Sequence, residues 1–265
     1  MKKLFAVLVS LVVAAPIAAQ QTAYYIIYGD SNTGYVVRNG TLQFTFSVSA
    51  QSDFASYGLR FDQGNFLVVN RNGTASREYN PLGVFTGVSS NLGPQNLDQL
   101  LDGGTDGTST YTARYGSNTG VYKGDMNFGN QSLLFSLGDT YGVTYGNGYV
   151  WAITENTLLQ YTTGGAFVNS FGLGLDGYRA AALAYESSTN SLWFGANGTG
   201  DLYNYGLDGT QLARITVEGL GGNYWAGEMM NVAGTSVVPE PSTYALMTAG
   251  LLGLGVASRR RRRTA

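Results

Sequence analysis

Chemistry in this chain would fall to carboxylates, because the sequence has neither histidine nor cysteine. That removes the most frequent general base and the commonest metal ligand together. A Ser-His-Asp triad in its usual form cannot be written, nor a Cys/His zinc site. Asp62, Asp139, Asp176, Glu155, Glu186 and Glu228 are candidates for the two acids that a glycosidase-type reaction sets across its substrate, but no spacing singles out a pair. Glu228, in Ala-Gly-Glu-Met-Met-Asn at 226–231, is the most informative of them. Two readings apply to it: a weak ligand candidate lining a central channel, or, more plainly, a residue facing solvent at a strand end.

Asp102, Asp106 and Asp125 could share a hard cation such as Ca²⁺, which takes oxygen ligands alone. The Asp-x-Asp-x-Asp-Gly loop is missing, however, and Asp-Gly at 102–103 and 106–107 reads more simply as turns, so neither a metal nor an organic cofactor is assigned. No glycine-rich phosphate loop is present. The 19 tyrosines and three tryptophans suit stacking on sugar faces, since an amphipathic ring packs on one side and hydrogen-bonds at its edge. Trp151 and Trp193 occupy matching places in a repeat, which predicts core. Trp225 has no such match and is the second weak ligand candidate.

The elements that must position these residues are short. β-Branched and aromatic runs such as 42–49, 65–70, 149–154 and 191–196 alternate with turn residues, and no long helical periodicity appears. Asn-Gly at 39–40, 72–73, 147–148 and 197–198, and Asp-Gly at 176–177 and 208–209, suit tight hairpins. The Asn-x-Ser/Thr triplets at Asn39, Asn72, Asn130 and Asn197 read as turns as well.

These elements repeat. Tyr-Gly-Leu-Arg-Phe at 57–61 returns as Tyr-Gly-Val-Thr-Tyr at 141–145, and more loosely as Ala-Ala-Leu-Ala-Tyr at 181–185. Tyr79/Gly83, Tyr161/Gly165 and Tyr205/Gly209 each close a third strand with Tyr-x-x-x-Gly. Tyr-Gly-Asp-Ser-Asn-Thr-Gly at 28–34 resembles Tyr-Gly-Ser-Asn-Thr-Gly at 115–120. Tyr57 to Tyr141 spans 84 residues and Ser31 to Ser117 spans 86, each twice the 42–43 residues of a four-stranded propeller blade. Blades are expected to begin near Tyr57, Gln99, Tyr141, Ala182 and Tyr224, the last borrowing strands from 22–50 to close the ring. The predicted fold is all-β, a five-bladed β-propeller, with a β-sandwich or solenoid as the alternative. The second unit, 99–140, departs most from the pattern. The blades resemble NHL and lactonase-like propellers; the latter hold Ca²⁺ in the channel, but those ligand positions do not map onto this sequence.

Both ends are of another character. Lys2 and Lys3, an apolar run from Leu4 to Ala15, and Ile17 and Ala19 before a cleavage point predict a signal peptide over 1–19 and entry into the Sec export machinery. The repeat domain then spans 20–236 and a separate tail 237–265. Within 20–238 lie eight basic and sixteen acidic residues. A body near −8 with no basic stripe repels nucleic acid. Without cysteine it relies on its core for stability.

The tail has Val238-Pro239-Glu240-Pro241-Ser242, an apolar stretch from Tyr244 to Ala257, and Arg259, Arg260, Arg261, Arg262 and Arg263. The stretch would reach about 21 Å as a helix, short of a hydrocarbon core of about 30 Å. Snorkelling arginines extend it and orient it with the body outside. This order resembles the PEP-CTERM proteins of Gram-negative bacteria. The resemblance implies recognition of residues 238–242 by an exosortase, a membrane-embedded processing enzyme. It also implies transient anchoring at 244–257, then residence in the envelope or extracellular matrix, with association with exopolysaccharide and biofilm. It covers only the tail. Two functions remain for the body: a non-enzymatic structural or adhesive matrix protein, or a hydrolase or lyase acting on carbohydrate or lactone through a carboxylate–calcium site.

Overall fold

A computed structural model describes residues 23–230 except 29–31, 49–55, 63, 93–98 and 176. The segment read as a signal peptide, the sorting motif, the apolar stretch and the arginine cluster lie outside the described residues. Twenty strands form five antiparallel four-stranded sheets, and the described residues contain no helix. Blade 1 joins β20 (Tyr224–Met230) to β1 (Ala23–Tyr28), β2 (Thr33–Arg38) and β3 (Thr41–Ser47). Blade 2 is β4 (Ser56–Asp62), β5 (Asn65–Asn70), β6 (Ala75–Tyr79) and β7 (Phe85–Asn91). Blade 3 is β8 (Leu100–Thr105), β9 (Thr110–Arg114), β10 (Gly120–Gly124) and β11 (Ser132–Phe135). Blade 4 is β12 (Gly142–Gly146), β13 (Tyr149–Thr154), β14 (Thr157–Thr162) and β15 (Phe167–Gly172). Blade 5 is β16 (Ala180–Glu186), β17 (Ser191–Ala196), β18 (Asp201–Gly206) and β19 (Gln211–Thr216).

The inner strands β20, β4, β8, β12 and β16 neighbour one another in that order, and β16 returns to β20. This is a five-bladed β-propeller, and its blades begin within two residues of the expected positions. Closure is as the repeat demanded: β20 pairs with β1 from Ala23↔Met230 to Tyr28↔Tyr224. Joining the chain's two ends in one sheet leaves no inner edge open.

The core lies between the blades. Tyr25, Phe46, Phe66 and Tyr79 fill the junction of blades 1 and 2. Tyr111, Val121, Val150 and Tyr161 fill that of blades 3 and 4, and Trp151, Leu183, Phe194 and Tyr205 that of blades 4 and 5. Outer strands are exposed, with β7 open along nearly its whole length.

The Tyr-x-x-x-Gly turn has a packing reason. Gly83, Gly165 and Gly209 all have positive φ. A Cβ on them would meet, respectively, Phe46 of blade 1, the Leu134 carbonyl of blade 3 and Phe171 of blade 4. Each turn therefore docks on the outer strand of the preceding blade, where only glycine fits.

One expectation for blade 3 requires correction. Asp102-Gly103 is not a turn; both residues lie inside β8, the blade's inner strand. The unit 99–140, which departs most from the repeat in sequence, still forms four strands. Short-range turn chemistry is outweighed here by the close approach of strands around the channel, which favours small residues.

Candidate functional site

The channel is organised by Asp102. Its Oδ1 accepts backbone N–H groups of Gly103 at 2.9 Å and Gly227 at 3.0 Å. Its Oδ2 accepts those of Val143 at 3.0 Å and Leu183 at 2.9 Å. One fully buried carboxylate thus holds the inner strands of blades 1, 3, 4 and 5. The local backbone bends to permit this. The pairing of β16 with β17 slips between Ala181 and Ala184, and Ala182 takes φ of 60°, which costs a non-glycine residue about 1–2 kcal/mol. The bulge turns the Leu183 N–H toward Asp102, while the Ala182 carbonyl accepts the Tyr24 hydroxyl.

Glu228 is one residue beyond the Gly227 amide. The reading that placed it in solvent is wrong: β20 runs on to Met230 as an inner strand, and Glu228 is only 7% exposed. Its Oε1 accepts its neighbour's amide, from Met229 N at 3.0 Å. Thr144 faces it, though the Thr144 hydroxyl makes no hydrogen bond within 3.5 Å.

Burial pushes the Glu228 carboxyl well above its usual range, and the Asp102 charge adds to the rise. Burial also pushes Asp102 up, but four amides oppose it. Four N–H donors on its two oxygens favour the charged form of Asp102, whereas burial favours the neutral form of Glu228. Burial, followed by the charges of Asp102 and Glu228, likewise raises the Tyr24 phenol.

The four amides on Asp102 also fix the repeat register. Two residues before Gly103, Val143, Leu183 and Gly227 stand Leu101, Tyr141, Ala181 and Trp225, which form one apolar cluster with Tyr115 packed on it. They make a collar at one level of the four inner strands. Trp225 therefore does have repeat equivalents, contrary to the sequence reading. They were hidden because alignment on Tyr224 sets the last blade one residue out of register. Around the collar, the Arg179 guanidinium lies 4.2 Å from the Tyr141 ring centroid and 3.5 Å from Glu155. The Tyr141 hydroxyl donates to Asp139 at 3.3 Å. Burial pushes the Tyr141 phenol up to about 12 despite Arg179. Tyr178, 44% exposed, stands in the segment that leads into β16. Sequence reading passed over Tyr178 and Arg179; their place immediately before an inner strand was the available signal.

The proposed aspartate trio does not assemble. Asp106 closes the turn between β8 and β9, accepting from Thr108 and Ser109 N–H at 2.8 and 2.7 Å and from the Tyr111 hydroxyl at 2.7 Å. Asp125 closes the turn after β10, accepting from Asn127 and Gly129 N–H at 2.9 and 2.8 Å. Among the described residues no group of three or more acidic side chains is placed to hold a metal ion. Trp151 is fully buried, as expected of core. Trp193 is only partly buried.

Inner strands tied around a buried carboxylate, under an aromatic collar, define the body as a closed five-bladed β-propeller. Residues 237–262 match the PEP-CTERM protein-sorting motif, which marks the chain as an exported exosortase substrate that is transiently membrane-anchored and associated with the cell envelope. Solved structures share the body's fold. A complex of nidogen and laminin matches with TM-score 0.53 at 10% identity, over 78% of this chain and 98% of that one. Glutaminyl cyclase of Myxococcus xanthus matches with TM-score 0.50 at 16% identity, over 62% and 72%. Virginiamycin B lyase from Staphylococcus aureus gives TM-score 0.46 at 14% identity, over 73% and 69%. No curated protein matches the chain in sequence.

Proposed function

We propose that the protein is a non-catalytic surface or matrix component whose propeller binds exopolysaccharide. In this reading residues 1–19 direct Sec export, and Val238 to Ser242 are the segment that the exosortase recognises. Residues 244–257 hold the chain in the membrane until processing, and Arg259 to Arg263 keep the tail's end on the cytoplasmic side. The prolines at 239 and 241 suit an extended, accessible segment, because each fixes φ and disfavours helix in the residue before it.

One observation carries the non-catalytic reading. The central acid, Asp102, is fully occupied by four backbone amides, and its surroundings are Gly103, Gly104, Gly142, Ala182, Gly227 and Thr144. An acid so engaged holds strands together and has no lone pair left for a substrate. Binding falls to the collar, where Arg179 lies over the Tyr141 ring beside Glu155 and Trp225 packs on Leu101, Tyr141 and Ala181. Such a rim suits hydroxyl-rich chains. The second reading, a hydrolase or lyase, draws on the buried Glu228, whose carboxyl burial shifts in the direction a general acid needs.

The two separate in one experiment. The purified exported protein and its Glu228→Gln variant are incubated with matrix polysaccharide, measuring sedimentation with the polymer and release of reducing or unsaturated ends. Retention on the polymer by both proteins, without new ends, is expected. New ends that vanish in Glu228→Gln would establish the enzyme reading instead.

A further inference from the structure

The turn between the second and third strands of every blade holds an asparagine, with a threonine one or two residues on: Asn32-Thr33, Asn72-Gly73-Thr74, Asn118-Thr119, Asn156-Thr157 and Asn197-Gly198-Thr199. All five turns stand at the collar's end of the propeller, because each second strand ends where its inner strand begins. Tyr28 pairs with Tyr224, Asn70 with Ser56, Arg114 with Leu100, Ile153 with Gly142 and Ala196 with Ala180. Two local demands put asparagine in a turn: a positive φ, or a side-chain bond to nearby backbone. Asn32 takes φ of 52°, and Asn197 Oδ1 accepts the Tyr224 N–H at 2.7 Å. At the propeller's other end Asn39, Asn147 and Asn190 have φ of 49°, 52° and 53°. Asn72, Asn118 and Asn156 meet neither demand. None has positive φ, all three are exposed, and none makes a side-chain hydrogen bond to a described residue.

These three amides stand on blades 2, 3 and 4, which are successive around the ring. From this arrangement we propose that they form an arc that binds an extended, neutral polyhydroxylated chain across the collar's end of the propeller. The proposal rests on the polysaccharide reading above and assigns it a surface and a class of polymer. A primary amide offers two N–H donors and a carbonyl acceptor, the complement of neighbouring hydroxyls on a sugar. It carries no charge and so gives a polyanion no attraction. The body, with eight basic and sixteen acidic residues over 20–238, adds none. Groups at the same place in successive blades suit a repeating ligand better than a single sugar, and weak bonds at three places reinforce one another along one chain. Asn127 is exposed as well, but on the turn between β10 and β11 at the other end, which makes it a matched control.

The exported protein is titrated with dextran, hydroxyethyl cellulose and alginate. Binding is read by affinity electrophoresis and by the asparagine side-chain NH₂ signals, assigned through Asn72→Ala, Asn118→Ala and Asn156→Ala. At least one neutral polymer should retard the wild type and move the three signals together, whereas alginate should do neither. Each single variant should bind about two- to tenfold more weakly, and the triple variant at least about tenfold. Asn127→Ala should match wild type. Exposed substitutions of this kind change stability little, and the urea midpoint of each variant reports its fold. A folded triple variant with wild-type affinity overturns the arc while sustaining the polysaccharide reading. So does retardation by alginate alone, or retardation by a neutral polymer that leaves the three signals in place. Retardation by none of the polymers overturns the proposal; failure also to sediment with the native matrix polysaccharide would overturn the reading beneath it.

Discussion

Replacing Asp102 by asparagine should cost the propeller a large share of its stability. The side chain keeps its shape but loses its charge, and one of its two oxygens becomes an NH₂. Whichever way the amide sits, two inward-pointing backbone N–H groups then face a donor: Gly103 and Gly227, or Val143 and Leu183. Hydrogen bonds to a charged group contribute about 1.5–3 kcal/mol each, so losing two costs about 3–6 kcal/mol. A domain is typically stable by about 5–15 kcal/mol. The assay is urea unfolding of the exported protein, followed by the fluorescence of its tryptophans, of which Trp151 is fully buried. With a urea slope of about 3 kcal/mol/M, the midpoint should fall by about 1–2 M. A midpoint within about 0.3 M of wild type, at unchanged slope, would refute the reasoning. The carboxylate would then not be what holds the four strands.

Other outcomes follow from the same geometry. Glu228 is raised above 4.5 in the folded state, so the native protein keeps a proton that the unfolded chain has lost. Native protons in excess make stability fall as pH rises from about 4.5 through the raised value. Glu228→Gln should remove that fall, matching wild type in acid and exceeding it at neutral pH; parallel urea curves for the two proteins across this range would contradict it. Gly209→Ala combines φ of 82° with a Cβ 2.2 Å from Phe171 Cδ1, and should cost about 2–5 kcal/mol in thermal unfolding. Gly164→Ala, whose nearest contact is Thr162 Oγ1 at 3.8 Å, should be close to neutral in the same assay. Equal melting of these two variants would remove the packing account of the Tyr-x-x-x-Gly turn.

The blade count was legible because each blade must bury the same face against its neighbour, so Tyr57 and Tyr141 or Gly83 and Gly209 recur at fixed spacing. Hairpin turns were legible at Asn39 and Asn147, where Asn and Gly both take positive φ, and at Asn72 and Asn197, where the following glycine alone does. The site was not legible in the same way. Asp102-Gly103 carries an ordinary turn signal, and only closure of the ring brings the amides of Val143, Leu183 and Gly227 to it, up to 125 residues away in sequence. Glu228 was placed at the correct strand, but its burial depends on Tyr24 of the paired strand β1 and on Thr144 of blade 4, far from it in sequence. Trp193 was assigned to core because Trp151 is its equivalent. The difference between them goes with two exchanges, glutamate at 186 for glycine at 146 and methionine at 229 for tyrosine at 185, visible only once the register is known.

The central claim is that this propeller is made to be exported and cut free of its tail. Intact mass combined with cell fractionation tests it most directly, comparing the natively expressed wild-type chain with a variant carrying alanine at Pro239, Glu240 and Pro241. The account predicts a wild-type species that begins near Gln20, ends near Val238 and leaves the membrane fraction, while the variant stays in the membrane with its tail intact. A wild-type protein found in the membrane with residues 239–265 still attached would contradict it.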